Sequence, residues 1–145
     1  MDENEYKLVC KNLITASCAF EKSILAYKTR CSKATKKNIA EREVVMCASA
    51  HCAERCENWL KILRRKSQFP LHIPEQVAVL PHAKEMRVQA GGILGLCKVL
   101  EIETGEPHSQ PNVVEVLEIC NERIESIETM PFTEIIREIV HFQAR

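Results

Sequence analysis

Residues 86–102 read MRVQAGGILGLCKVLEI, and this stretch decides how the rest of the chain has to pack. At helical spacing it carries an apolar stripe on each of two opposite sides. Lys98 is the only charged residue between Ala90 and Leu100. A helix that is apolar all round is normally buried all round. We therefore expect either the rest of the chain or a second molecule to cover each side of this helix.

One side of the same helix is rich in small residues. Glycine inside a helix costs about 1 kcal/mol relative to alanine, so three glycines within five residues need a compensating contact. Close approach of another backbone, or of a ligand, supplies such a contact. The alternative to a second chain is that the last predicted helix, over residues 132–143, packs there. The sequence predicts an interface between chains at Val88, Gly91, Gly92, Gly95, Val99 and Ile102.

The composition is that of a soluble globular protein, with 46% hydrophobic and 28% charged residues in a chain of 145. The N-terminal sequence MDENEYKLVC lacks the basic and then apolar layout of a secretory signal. No apolar run approaches the roughly 18 residues that suggest a membrane span. These features predict a single cytoplasmic domain over residues 1–145, with no membrane contact.

The formal net charge is zero, but the charges are unevenly distributed along the chain. Residues 1–72 hold 14 Lys and Arg against 8 Asp and Glu, whereas residues 73–145 hold 6 against 12. Such a split favours docking of the two halves on each other, or separate basic and acidic partners. Self-neutralisation is the simpler interpretation.

Amphipathic periodicity predicts helices along most of the chain, joined by short connections. Short connections between long helices imply antiparallel neighbours. We therefore predict an all-α fold: an up-down antiparallel bundle of four main helices, the last broken at Pro131, or five helices if its two parts count separately. The predicted helices cover residues 3–32, 39–66, 81–103, 112–128 and 132–143.

Eight cysteines are present, but the chain has no export signal and no CxxC pair. Disulfide frameworks and zinc ribbons depend on such features, so most of the thiols are interpreted as buried small hydrophobes. An alternative is a thiol or metal site, because residues one helical turn apart can present two ligands from one helix. That site would use Cys47, His51, Cys52 and Cys56.

Catalytic motifs are sparse. Asp2 is the only aspartate, and many metal-dependent and triad mechanisms use aspartate. Glu138 and His141 match one Glu-x-x-His element of di-iron bundles, but such a site needs the element twice. The sequence therefore predicts no catalytic residues and no cofactor, and the chain is interpreted as more plausibly non-enzymatic than enzymatic.

Function is predicted from the surplus apolar face and the uneven charge. The first hypothesis is a non-enzymatic helical bundle that acts through protein–protein interaction as an adaptor or regulatory subunit, as a homo-oligomer through the 88–102 face. The second is a nucleic-acid-binding accessory subunit, because a basic segment can neutralise phosphates. Its candidate residues are Lys28, Arg30, Lys33, Lys36 and Lys37.

Overall fold

The computed structural model of this chain describes residues 16–75, 79–103, 110–124, 126 and 129–143. The part of the predicted first helix that precedes Ala16 lies outside the described residues. The elements in chain order are β1 (Ala16–Ser17), α1 (Glu21–Leu25), β2 (Ala34–Ile39), β3 (Arg42–Cys47), α2 (Ala50–Ser67), α3 (82–99), α4 (Val113–Arg123) and α5 (Phe132–His141). Helix α3 contains a π-helical turn, Arg87–Gly91, between the α-helical parts His82–Met86 and Gly92–Val99.

The prediction of an all-α up-down bundle is wrong, because the structure contains a three-stranded antiparallel sheet in the order β1-β3-β2. The central strand β3 holds the run Val44 to Cys47, in which all four residues are buried. A short apolar run of this kind suits a buried strand as well as a buried helix, and periodicity alone does not separate the two. Among the described strands, the lysine-rich β2 is paired with β3 alone.

The first two predicted helices are also wrong in their bounds. Within the described residues, the predicted helix over 3–32 is replaced by β1, the short helix α1 and a turn in which Tyr27 has a left-handed φ of 59°. The predicted helix over 39–66 begins only at Ala50. Its start is fixed by Ser49, whose hydroxyl accepts a hydrogen bond from the backbone N–H of Cys52 at 3.2 Å. A serine cap of this type ends the preceding strand and begins the helix.

The β2–β3 hairpin turns through Ala40 and Glu41, whose φ angles are 49° and 71°. A two-residue turn with both φ angles positive is normally built from Asn-Gly, because other residues are strained there. The double change Ala40→Asn and Glu41→Gly is expected to raise the free energy of unfolding by about 1 kcal/mol, measured by urea denaturation. Ala40→Val is expected to lower it. An unchanged urea midpoint in both variants would show that the turn is not strained.

Helix α3 runs through the centre of the core, and Val88 on it has no exposed area. A Cβ atom built on Gly91 would lie 2.7 Å from the Cα of Ile139, and one on Gly95 would lie 2.8 Å from the Cα of Ile135. Both contacts are to the backbone of α5. The chain's own last helix therefore occupies the small-residue side of α3, and this close approach explains the two glycines.

The third glycine of α3 faces a different neighbour. A Cβ atom on Gly92 would lie 2.8 Å from the Cδ1 of Leu63 in α2. Val99 and Ile102, at the end of the stripe, are partly buried against the same core. The structure thus covers both apolar sides of α3 with parts of one chain. None of the helices in the described ranges is long and apolar enough to cross a membrane.

Candidate functional site

A basic cleft of about 440 Å³ opens where α1, α2 and the start of α3 meet the segments at Gln68–Pro74 and Val79–Leu80. Its volume is in the range of sites that bind small ligands or the side chains of a partner. Charged side chains dominate its lining. They are Glu21 and Lys22 from α1, Lys61, Arg64 and Arg65 from α2, and Glu85 from α3.

A buried hydrogen-bond network forms part of the cleft and ties its three helices together. Glu85, which is only 4% exposed, accepts hydrogen bonds from the Nε of Arg64 at 3.1 Å and from its Nη2. The same carboxylate accepts a bond of 2.9 Å from the Nε2 of Gln89, a side chain that is 2% exposed. The Oε1 of Gln89 in turn accepts a bond of 3.0 Å from the backbone N–H of Ser23 in α1. The bidentate pair fixes the plane of the Arg64 guanidinium and leaves its third nitrogen, Nη1, outside the contact with Glu85.

Three further cations of the cleft have no such partner. Among the residues that the structure describes, no carboxylate lies within ion-pair distance of Lys22, Lys61 or Arg65. Glu21 does not neutralise them by a direct contact, because its Oε1 accepts a hydrogen bond of 2.7 Å from the backbone N–H of Val45. Lys61 and Arg65 are one turn apart on α2 and therefore share one face of it. The cleft is left with unpaired positive charge on two of its walls.

Apolar side chains stand at the edge of the same cleft. Val79 lines it and is 77% exposed. Phe69, which directly follows the cleft residue Gln68, is 90% exposed. Val79 therefore gives the cleft one exposed apolar side chain beside its positive charge.

The residues predicted to form an interface between chains are placed inside the molecule. Val88, Gly91, Gly92 and Gly95 are buried in the single chain, and the contacts that cover the three glycines come from α5 and α2. The burial that these residues were expected to obtain from a second chain is therefore supplied by the chain itself.

The residues of the predicted nucleic-acid surface are brought together only in part. Lys33, Lys36 and Lys37 lie exposed on or beside the edge strand β2. Arg30 is held next to α4, where its Nε donates to the carbonyl of Gln110, and Lys28 is half-buried. An aromatic side chain from the turn after α1 lies against strand β2: Tyr27 is 66% exposed, and the Nζ of Lys36 lies 4.4 Å from the centre of its ring.

The predicted metal site is not assembled as a set. Cys47, Cys52 and Cys56 line one small apolar cavity between the sheet and α2, together with Cys18 and Cys31. His51 is exposed and lines a different cavity, on the outer side of α2. Within the described ranges, no three His, Cys, Asp or Glu side chains are grouped so that they could hold a metal ion.

Burial keeps the thiols of this core protonated at neutral pH. Desolvation raises the pKa of Cys18, Cys56 and Cys120 to about 12 and that of Cys97 to about 11, from an ordinary value of 9.0. The neighbouring thiols add to the shift at Cys18 and Cys56. Because the thiolate is the form that attacks electrophiles and binds metals, these cysteines act as small hydrophobes near neutral pH.

The raised pKa values predict that the chain loses stability in alkali. Above pH 9 the unfolded chain releases thiol protons that the folded chain retains, so the free energy of unfolding falls as the pH rises from about 9 towards 12. Each thiol contributes a slope of up to about 1.4 kcal/mol per pH unit in this window. Urea denaturation at several pH values in this window measures how steeply the free energy of unfolding falls with pH. Cys120→Ala is expected to give a shallower slope, and an identical slope would contradict the assignment.

Comparison with known proteins gives no relative to set beside this site: no family model, no curated protein and no solved structure matches the chain. Sequence reasoning missed the cleft itself. It assigned no functional role to the basic residues at the end of α2 or to Glu85 and Gln89. One signal was available, because Gln89 is an uncharged polar residue in an otherwise apolar stretch and a buried amide needs partners.

Proposed function

We propose that this protein is a non-catalytic adaptor or regulatory subunit that binds an acidic segment of a partner protein in the basic cleft. The observation that carries the proposal is the set of three cations, Lys22, Lys61 and Arg65, that line one concave surface without an ion-pair partner among the described residues. Unpaired positive charge in a concavity concentrates the field and attracts an acidic partner. The exposed Val79 at the rim gives an apolar side chain of the partner a place to pack.

Cys18, Cys56, Cys97 and Cys120 are poor nucleophiles near neutral pH, because burial raises their pKa values. The homo-oligomer expected from the 88–102 face stays a prediction: α5 and α2 already cover its three glycines, and Val99 and Ile102 are left half-buried. The proposal therefore places the protein–protein contact at the cleft. The partner remains defined by its chemistry: negative charge, with at least one apolar side chain.

The test is binding of a short fluorescent peptide rich in glutamate and containing one leucine, followed by fluorescence anisotropy. The full chain is expected to bind it, with an affinity that falls as salt is added. The double variant Lys61→Glu and Arg65→Glu is expected to lose at least about tenfold in affinity, because two attractive charges become repulsive.

The matched control makes the same charge change outside the cleft. Lys33→Glu with Lys37→Glu alters two exposed lysines of the β2 region and is expected to leave the peptide affinity within about twofold of the starting value. Equal losses of peptide affinity in the two double variants would show that the peptide is attracted by the overall charge of the chain and not by the cleft. No binding by the unaltered chain would reject the proposal.

Nucleic-acid binding through the hairpin is the second candidate, and the contact between Lys36 and Tyr27 favours it. A lysine beside an exposed aromatic ring is an arrangement that can bind phosphate and stack a base. A labelled oligothymidine should then bind with a strong salt dependence, and the Lys33→Glu, Lys37→Glu variant should lose that binding. Retention of binding in this variant, or loss in the Lys61→Glu, Arg65→Glu variant alone, would reject the hairpin as the site.

A further inference from the structure

We propose that the acidic group held by the cleft is a phosphorylated serine or threonine side chain of the partner segment. This inference rests on the function proposed above and names the chemistry that the site selects. It is carried by the balance of charge in the cleft, by the number of hydrogen-bond donors around it and by the side chains at its rim.

The charge balance favours a dianion. The cleft is lined by four cations and two carboxylates, Glu21 and Glu85. The Glu85 carboxylate is already paired with Arg64, so it neutralises that guanidinium and no other. Lys22, Lys61 and Arg65 then exceed Glu21 by two positive charges. A phosphate monoester carries a charge of about −1.5 to −2 at neutral pH, whereas a carboxylate carries −1. The phosphate therefore balances the two excess positive charges of the cleft, and a single carboxylate balances only one of them.

The arrangement of donors also favours phosphate. Arg65 presents a planar fork of N–H donors, and Lys61 and Lys22 each present an ammonium group. Lys61 and Arg65 share one face of α2, and Lys22 comes from α1, so the donors line the cleft on two of its walls. Three oxygens on a tetrahedral phosphate can accept from more than one wall at once, whereas a planar carboxylate has two oxygens.

The C-terminal position in α2 does not explain this cluster. Positive side chains in the last turn of a helix interact favourably with its dipole, and that effect accounts for Arg65. It does not account for Lys61, one turn earlier, or for Lys22, on another helix. Like charges one turn apart on a helix repel each other mildly, and an anion bound beside Lys61 and Arg65 would relieve that repulsion.

The rim favours a protein-borne phosphate over a nucleotide or a free ion. None of the described side chains that line the cleft is aromatic, so the cleft itself has no ring on which a nucleobase could stack. Val79, at the edge of the cleft, offers exposed apolar surface to the residues that flank a phosphorylated side chain. A cleft of about 440 Å³ has room for that side chain and part of its backbone.

The test compares three pools of short synthetic peptides with degenerate flanking positions and one fixed central residue: phosphoserine, serine or glutamate. The immobilised full chain is expected to retain the phosphoserine pool at least about tenfold better than the serine pool, and several-fold better than the glutamate pool. Lys61→Gln with Arg65→Gln should abolish this preference. Lys33→Gln with Lys37→Gln, the matched control in the β2 region, should preserve it.

The other outcomes are distinguishable. Equal retention of the glutamate and phosphoserine pools would overturn the phosphate inference while leaving the acidic-segment proposal in place. Retention of no pool would overturn both. If inorganic phosphate or adenosine monophosphate displaces a bound phosphopeptide at equal concentration, the site takes a free phosphate compound, and the inference of a phosphorylated partner fails.

Discussion

Replacing Gly95 or Gly91 by alanine is expected to destabilise this protein, whereas the same change at Gly92 is expected to be close to neutral. At Gly95 the new methyl group would lie 2.8 Å from the Cα of Ile135, and at Gly91 it would lie 2.7 Å from the Cα of Ile139. Both obstacles are backbone atoms of α5, so the whole helix has to move away from α3.

The size of the effect follows from two opposing contributions. Alanine in place of glycine stabilises a helix by about 1 kcal/mol, and overpacking a core costs about 1–3 kcal/mol or more. A clash with helix backbone lies at the upper end of that range, so we expect each change to lower the free energy of unfolding by about 2 kcal/mol. Gly95→Val should cost more than Gly95→Ala.

Gly92→Ala is the matched control, because it makes the same chemical change in the same helix. Its new methyl group would approach only the Cδ1 of Leu63, the end of a side chain that can rotate away. Urea denaturation of the three alanine variants measures the difference directly. If Gly92→Ala is as damaging as Gly95→Ala, or if all three are neutral, α5 does not pack on α3 as described.

Truncation of Glu85 is expected to have the other large effect. Glu85→Ala removes the acceptor for both Arg64 and the buried amide of Gln89. Loss of one partner from a buried ion pair costs about 3–5 kcal/mol, and the Arg64 side chain is 36% exposed, so water compensates part of that loss. We expect the free energy of unfolding to fall by about 2–3 kcal/mol.

A double variant separates the ion pair from the packing around it. Replacing Glu85 and Arg64 together by leucine removes both charges, so no buried charge is left without its partner. This double variant is expected to be more stable than Glu85→Ala alone, because well-packed apolar residues can replace a buried pair at little cost. Urea denaturation compares the two variants. If the double variant is less stable than Glu85→Ala, the hydrogen-bond network of Glu85, Arg64 and Gln89 contributes more to stability than the pairing of its two charges.

The sequence predicted the three helices that follow residue 80 in place, although α4 ends at Arg123, earlier than expected. Their apolar residues recur at helical spacing over several turns, and this is the strongest local signal available. The strands were missed because Val44 to Cys47 carries no alternation: β3 is central to its sheet and buried throughout. Strand β2 was missed because its exposed lysines are typical of an edge strand and resemble a polar loop.

Local pattern could not locate the cleft, since Gln89 indicated only that a buried amide needed partners and not which residues they were. Lys22, Lys61 and Glu85 are far apart in the chain, and they meet only because α1, α2 and α3 pack on one another. The packing of the last helix on α3 was one of the two alternatives that the sequence left open. The contacts of Gly91 and Gly95 with α5 decide between them, because a periodic pattern shows that a helix face is buried but not which element buries it.

Photo-crosslinking tests most directly whether the basic cleft is where this chain meets an acidic partner. A glutamate-rich peptide carrying one photoreactive leucine analogue would be irradiated with the full chain and the linked residues identified by mass spectrometry. We predict links to the cleft walls, around Lys22 and Gln68 and at Val79. Links concentrated on the hairpin around Lys36 and Tyr27, or scattered over the surface, would contradict the account.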